Sequence, residues 1–201
     1  MSSSQYFEPQ PASPSDRREI TFGVGGVTYR MLTDRGVFSG QRLDAGTRVL
    51  LTEGPPPPLA GNLVDLGCGT GPIAFSLARR SPEAKVWAID VNERAVDLTR
   101  DGAKLNALSN ITACGPDDVP DDIQFTGIWT NPPIRIGKAA MHAMLERWLS
   151  RLTPDGVAML VVHKQLGSDS LAAWLNAEGW PCTRLTSRNG YRLLRVSPHA
   201  D

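Results

Sequence analysis

This sequence has few cysteines, few aromatics, no formal net charge and no long hydrophobic run. Its three cysteines, Cys68, Cys114 and Cys182, are odd in number and far apart, with no CxxC spacing. That excludes a disulfide framework and a structural zinc site, and leaves reduced thiols with no metal as the expectation. No apolar stretch is long enough to span a bilayer. The opening residues, MSSSQYFEPQPASPSDRRE, are polar and proline-rich without the apolar centre of a signal peptide. A soluble, cytoplasmic protein is expected. A net charge of zero argues against avid nonspecific binding to nucleic acid. The distribution is less even: residues 131–201 carry nine Lys/Arg against five Asp/Glu, and residues 1–130 carry twelve against sixteen. A basic C-terminal part leaves room for a polyanion on one face, or for nothing more than solvated charges.

With 201 residues, 41% of them hydrophobic, the chain can bury the core of one domain. Residues 1–17 read as a disordered arm rich in Ser, Pro and Gln. Residues 18–54 read as a lead-in packed on the main domain. They hold two β-rich runs, Glu19–Phe22 and Val27–Arg30, around a glycine cluster, then a short helix ending at Leu51. Pro55–Pro58 is a stiff linker. From residue 59 to 197, strand and helix signals alternate. Strands are expected at Asn62–Leu66, Lys85–Ile89, Ile111–Cys114, Gly127–Thr130 and Gly156–His163. Helices are expected at Pro72–Arg80, Glu93–Ala107, Lys138–Leu152 and Leu171–Ala177. The fold class is therefore α/β, a Rossmann-like, mostly parallel sheet with helices on both faces. The end breaks the rhythm. Trp180–Ser187 and Tyr191–Val196 flank Arg188-Asn189-Gly190, a hairpin signal that predicts an antiparallel strand at the C-terminus.

The first strong motif is Leu63-Val64-Asp65-Leu66-Gly67-Cys68-Gly69-Thr70-Gly71, between a strand and a helix. Glycines let the backbone turn sharply and approach a ligand closely. The spacing is GxGxG, not the GxGxxG of dinucleotide binders. Asp65, set just before the turn, suits an ammonium group better than a phosphate, which points to S-adenosylmethionine. Asp90 ends the next strand, nineteen positions after Gly71, where a carboxylate can accept both ribose hydroxyls, with Asn92 close by. Cys68 reads as a small residue that fits the turn.

The second motif, Thr130-Asn131-Pro132-Pro133-Ile134, closes the fourth strand of this series. Two prolines fix an extended backbone. The Asn131 side-chain oxygen and the Pro132 carbonyl can accept both protons of one exocyclic amine and aim its lone pair at a methyl donor. Proximity and alignment then suffice, without a strong general base. Arg135 and Lys138 flank this edge and suit phosphate contacts or a solvated helix start. His163 and Lys164 end the fifth strand at the same edge. Phe38 suits core packing or a cover over the ligand.

Asp-Leu-Gly-Cys-Gly-Thr-Gly with Asn-Pro-Pro-Ile resembles class I methyltransferases that modify amino nitrogens of adenine, guanine or glutamine. More narrowly, the chain is similar to the methyltransferase small domain family, typified by ribosomal RNA small-subunit guanine-N2 methyltransferases. Gly36-Val-Phe-Ser-x-x-x-Leu-Asp-x-Gly-Thr-x-x-Leu-Leu resembles the family's lead-in, and Asn131-Pro-Pro-Ile-Arg-x-Gly-Lys its single-domain members. Lys164-Gln-Leu-Gly and Gly190-Tyr-Arg resemble its later strands and loops, so the likeness covers roughly residues 30–196. It implies a guanine N2 of ribosomal RNA as acceptor; Arg135, Lys138 and Lys164, by their place at the active edge, are the candidates for RNA phosphates. Glutamine-N5 methylation of a release factor or ribosomal protein is the alternative. Adenine methylation of DNA, a noncatalytic cofactor-binding scaffold and a nicotinamide dehydrogenase rank lower. Three departures stand out. Ile134 replaces the Phe or Tyr of many relatives. The acid that holds the adenine amine after the third strand is shifted to Asp117, or replaced by backbone groups. The extra N-terminal domain of the best-known members has no counterpart in these residues.

Overall fold

The computed structural model describes residues 14–37 and 42–199. Phe38 falls outside that range, as does the side chain of Arg135. The lead-in begins with an antiparallel hairpin, β1 (Arg18–Val24) and β2 (Val27–Thr33), turning at Gly25-Gly26. Side chains alternate across it, so Phe22, Val24, Tyr29 and Met31 are buried while Thr21, Thr28 and Arg30 face outward. The rings of Phe22 and Tyr29 stack at 5.0 Å. Helix α1 (Ala45–Glu53) follows, capped by the Asp44 carboxylate, which accepts the Thr47 N–H at 3.0 Å.

The main domain runs through β3 (Ala60–Leu66), α2 (Pro72–Arg80), β4 (Glu83–Ile89), α3 (Glu93–Leu105), β5 (Ile111–Cys114), β6 (Phe125–Thr130), α4 (Lys138–Leu149), β7 (Leu152–His163), α5 (Ser168–Ala177), β8 (Cys182–Arg188) and β9 (Tyr191–Val196). Seven strands form one sheet in the order β5-β4-β3-β6-β7-β9-β8. The first five pair in parallel, and β9 lies antiparallel to both β7 and β8. The Rossmann-like α/β sheet and its antiparallel end are thus as the sequence implies. Asn189 and Gly190 take φ of 50° and 80°, the conformation that a tight hairpin turn with right-handed twist requires.

The period-two alternation of the central strands divides the core in two. Leu63, Val86, Ala88, Met159 and Val161 face the side covered by the hairpin, α1 and α2. Val64, Trp87, Ile128, Leu160 and Val162 face the other, under α4 and α5. The lead-in therefore fills a place over the sheet: α1 packs on β7 and β9, and β2 on α3. Asn106 fixes that docking, accepting the Arg30 N–H at 2.9 Å and donating to the Arg30 carbonyl at 2.6 Å. Of the expected N-terminal arm, Ser15 and Asp16 bond to the buried Asp34 and Arg17 pairs with Asp101 at 3.2 Å.

The expected helix at Lys138–Leu152 stops at Leu149, and Leu152 already pairs with Phe125 as strand. Pro154 cannot extend a helix, and the ladder slips between Phe125 and Gly127 to take up the extra residues. Chain order reverses between β3 and its neighbours β4 and β6, and the crevice beyond the carboxyl ends of these strands is where such sheets bind ligands.

Candidate active site

Both motifs open into that crevice. The glycine turn leaves β3 with the Gly67 and Cys68 N–H groups donating to the Ile89 carbonyl, each at 2.9 Å, which holds the turn against the end of β4. Thr130, the last residue of β6, donates to the Leu66 carbonyl at 2.7 Å and brings the Asn-Pro-Pro segment beside the turn. Pro133 Cδ lies 3.8 Å from where a Cβ on Gly67 would project. The crevice is lined by Gly67, Cys68, Gly69, Thr70 and Asn131 from the two motifs, and also by Met31, Leu43, Asp44, Thr47, Pro72 and Ile73.

Three carboxylates govern its electrostatics. Asp65 is fully buried beneath the turn; its Oδ2 accepts the Ala74 N–H at 2.9 Å while Oδ1 has no partner. Burial, opposed by the Ala74 N–H and aided by the charge on Asp90, pushes the Asp65 carboxyl up to about 8. A buried acceptor without a partner is costly, and a ligand ammonium would satisfy it. Asp90 accepts the Gly69 N–H at 2.9 Å and the Asn92 N–H at 2.9 Å, and burial raises its pKa above the usual carboxylate value. The third, Asp44, meets Asn131: the Asn131 Nδ2 donates to Asp44 Oδ2 at 2.8 Å and to Thr47 Oγ1 at 3.2 Å.

The Asn131 oxygen is thereby turned away from Asp44, and no donor among the described residues is bonded to it. The Pro132 carbonyl accepts the Ile134 N–H at 2.8 Å, which leaves one lone pair for a substrate. Ile134 starts a 3-10 turn and packs partly into the core under α4.

Other expected residues are placed differently. The Asn92 oxygen caps α3 through the Arg94 and Ala95 N–H groups, and its nitrogen donates to the Gly36 carbonyl at 3.0 Å. Its amide thus ties the start of α3 to Gly36 of the lead-in. Asp117 is exposed and pairs with Arg147 at 2.9 Å, while its neighbour Asp118 accepts the Gly115 N–H. Cys68 is buried, and burial raises its thiol pKa well above the ordinary value, as befits a packing residue. Lys138 and Lys164 are exposed at the starts of α4 and of a 3-10 turn. Lys164 lies in a second cleft with Arg188, Asn189 and Arg192 of the β8–β9 hairpin.

Sequence reasoning missed Met31, Leu43, Asp44, Thr47, Pro72 and Ile73. Asp44 was findable as a helix cap, since an acid three residues before Thr47 opens the run Val49-Leu50-Leu51. Its contact with Asn131, 87 positions on, belongs to the tertiary fold.

A seven-stranded sheet of this order, with a glycine turn over a buried acid that keeps one oxygen free and an Asn-Pro-Pro segment at the next strand end, defines a class I S-adenosylmethionine-dependent methyltransferase. Residues 28–195 match the methyltransferase small domain, and the chain belongs to that family. It is 32% identical to the uncharacterised protein YbxB of Bacillus subtilis (strain 168), over 96% of this chain and 98% of that one. It is 36% identical to ribosomal RNA small subunit methyltransferase C of Aeromonas hydrophila, over 66% of this chain and 38% of the relative. The chain thus spans well under two thirds of the length of that relative. Among solved structures it is similar to the T. thermophilus 16S rRNA N2 G1207 methyltransferase in complex with AdoMet and guanosine. There the TM-score is 0.80 and the identity 26%, over 92% of this chain and 52% of that chain. The cofactor is S-adenosylmethionine. Among the described residues, no helix is long and apolar enough to cross a membrane.

Proposed function

We propose that this methyltransferase modifies the exocyclic N2 amine of a guanine in small-subunit ribosomal RNA. The observation that carries the reading is the orientation of Asn131, whose amide nitrogen is taken up by Asp44 and Thr47 and whose oxygen is left for a substrate amine. Relatives named for ribosomal RNA methylation, and one bound to guanosine, favour guanine over glutamine as the acceptor.

Asn131 Oδ1 and the free lone pair of the Pro132 carbonyl take the two protons of the amine. That fixes the nitrogen lone pair in the direction of transfer, so that alignment supplies most of the acceleration. Bound S-adenosylmethionine supplies an electrophilic methyl group on a sulfonium. Asp65 Oδ1 receives the ammonium of that ligand, and Asp90 its ribose hydroxyls. The open faces of Gly67 and Gly69 accept its body, because a Cβ on Gly69 would meet no protein atom within 4 Å. Thr70 and Cys68 shape the wall of this seat, and Gly71 begins α2 beneath it. The nitrogen loses a proton to water after transfer, since no strongly basic side chain lines the crevice. Lys138 and Lys164 hold the RNA backbone, with Lys164 acting beside Arg188 and Arg192.

The test is transfer of labelled methyl to small ribosomal subunits, free ribosomal RNA and release factor in parallel, by wild type and Asn131→Ala. Label in RNA that maps to guanine N2 and disappears in the variant is the expected result. Label in protein alone would replace this reading by glutamine methylation.

A further inference from the structure

The Leu43-Asp44-x-Gly46-Thr47 segment lies outside both chemical motifs, yet its side chains reach the centre of the site. Asp44 Oδ2 accepts two hydrogen bonds, from the Thr47 N–H that begins α1 and from Asn131 Nδ2. Thr47 Oγ1 gives that nitrogen a second acceptor at 3.2 Å. A carboxylate accepts and cannot donate, so the alternative rotamer of Asn131 would set two oxygens 2.8 Å apart. Only one orientation of the amide is compatible with Asp44.

The segment is itself held. Tyr191, the first residue of β9, lies against Gly46 so closely that a Cβ there would sit 2.6 Å from Tyr191 Cε1 and 3.0 Å from Asp44 Oδ2. Glycine at position 46 is therefore a matter of space: it lets the ring clamp the first turn of α1. The helix as a whole packs on β7 and β9. The residue types of the segment divide the work between them. Asp44 both caps and accepts, Gly46 makes room, and Thr47 contributes its N–H to the cap and its hydroxyl to Asn131.

We infer that Asp44, with Thr47, is a positioning residue for methyl transfer, locking the Asn131 amide so that Oδ1 faces the amine to be methylated. The inference rests on the reading of Asn131 as the acceptor of the substrate amine. Asp44 acts through Asn131 and does not touch the reacting atoms. The hydrogen bonds that Asp44 and Thr47 accept from Nδ2 also polarise the amide, which strengthens Oδ1 as an acceptor. Amine-directed activity therefore depends on the lead-in, which is part of the active site as well as a cover over the sheet.

Asp44→Ser separates the capping role of the residue from its hold on Asn131. A serine still caps α1 but is too short to reach Asn131, whereas Asp44→Asn keeps an acceptor oxygen, pinned by the Thr47 N–H, at the same place. The expected result for Asp44→Ser is a kcat about 10-fold or more lower, the loss of a charge-assisted hydrogen bond. KM and Kd for S-adenosylmethionine should stay within about threefold and Tm within a few degrees. Asp44→Asn should recover most of the rate, and Thr47→Val should fall between the two. An unaltered kcat in Asp44→Ser overturns the inference, as does a parallel fall of kcat, cofactor affinity and Tm, which would mark Asp44 as a helix cap only.

The Asn131 side-chain NH2 resonances give a readout independent of substrate. Slow proton exchange in wild type and fast exchange in Asp44→Ser support the lock; fast exchange in wild type overturns it. Should wild type methylate no ribosomal RNA while the amide exchanges slowly only with Asp44 present, the guanine reading fails and the positioning role stands.

Discussion

Replacing Gly69 and Gly71 separately by alanine should split cofactor binding from stability. Both take positive φ, 55° and 85°, so each alanine adds backbone strain of about 1–2 kcal/mol. Their surroundings differ. A Cβ on Gly69 meets nothing within 4 Å, while a Cβ on Gly71 would lie 2.8 Å from Phe75 Cζ and 2.9 Å from Thr99 Cγ2, both inside the core. Overpacking there adds roughly 1–3 kcal/mol. For a chain of this size, about 2–4 °C per kcal/mol translates the strain at Gly69→Ala into a fall in Tm of roughly 2–8 °C. The fall at Gly71→Ala should be about twice that or more. Binding should follow a different order relative to stability. The Gly69 methyl enters the space assigned to S-adenosylmethionine and should weaken its Kd by about 10- to 100-fold, or roughly 1.4–2.7 kcal/mol. Differential scanning calorimetry and isothermal titration, on folded protein well below either Tm, separate the two quantities. An unchanged Kd in Gly69→Ala would refute the assignment of the open face of the turn to the cofactor, whatever happened to Tm.

Three further outcomes are expected. Burial and Asp90 hold the Asp65 pKa near 8, far above its ordinary value of 3.8, so Asp65 is mostly protonated at pH 6 and becomes charged as the pH rises through 8. The ratio of wild-type to Asp65→Asn affinity for S-adenosylmethionine should therefore grow from pH 6 to 8.5; a flat ratio would remove Asp65 as the ammonium acceptor. Because the raised pKa disfavours the charged form, the cofactor-free protein should lose stability relative to Asp65→Asn over the rise from about pH 4 to 8, as urea titrations would show. Asn106→Ala strips both backbone partners from Arg30 and should cost about 2–4 kcal/mol. Since the same strand carries Met31 into the crevice, cofactor affinity should fall too, and a Tm within 2 °C of wild type would contradict the docking role of Asn106. Finally, Lys164→Glu with Arg188→Glu should weaken binding of a ribosomal RNA fragment and flatten its salt dependence by about 0.7–0.9 in log–log slope for each phosphate no longer neutralised. Cofactor affinity should be unaffected, and an unchanged slope would remove this cleft from the RNA path.

The sequence alone determined the elements and their order. Strand and helix periodicity marked each parallel strand to within a few residues, and Asn189-Gly190 announced the final hairpin, because backbone conformation there depends on neighbours along the chain. The turn at Gly67–Gly71 and the Asn131–Ile134 segment were legible for the same reason: their chemistry is written in consecutive residues. Tertiary structure decided what joins residues distant in sequence. The insertion of β9 between β7 and β8 puts Tyr191 against Gly46, which no local pattern announces. Asp117 shows the same limit from the other side: it has the right chemistry near the right strand, yet its carboxylate faces solvent beside Arg147. A side chain's partners are chosen by what packing brings within about 3 Å, and a hydrogen bond that spans 87 residues, as between Asn131 and Asp44, exists only once the sheet and the lead-in have met.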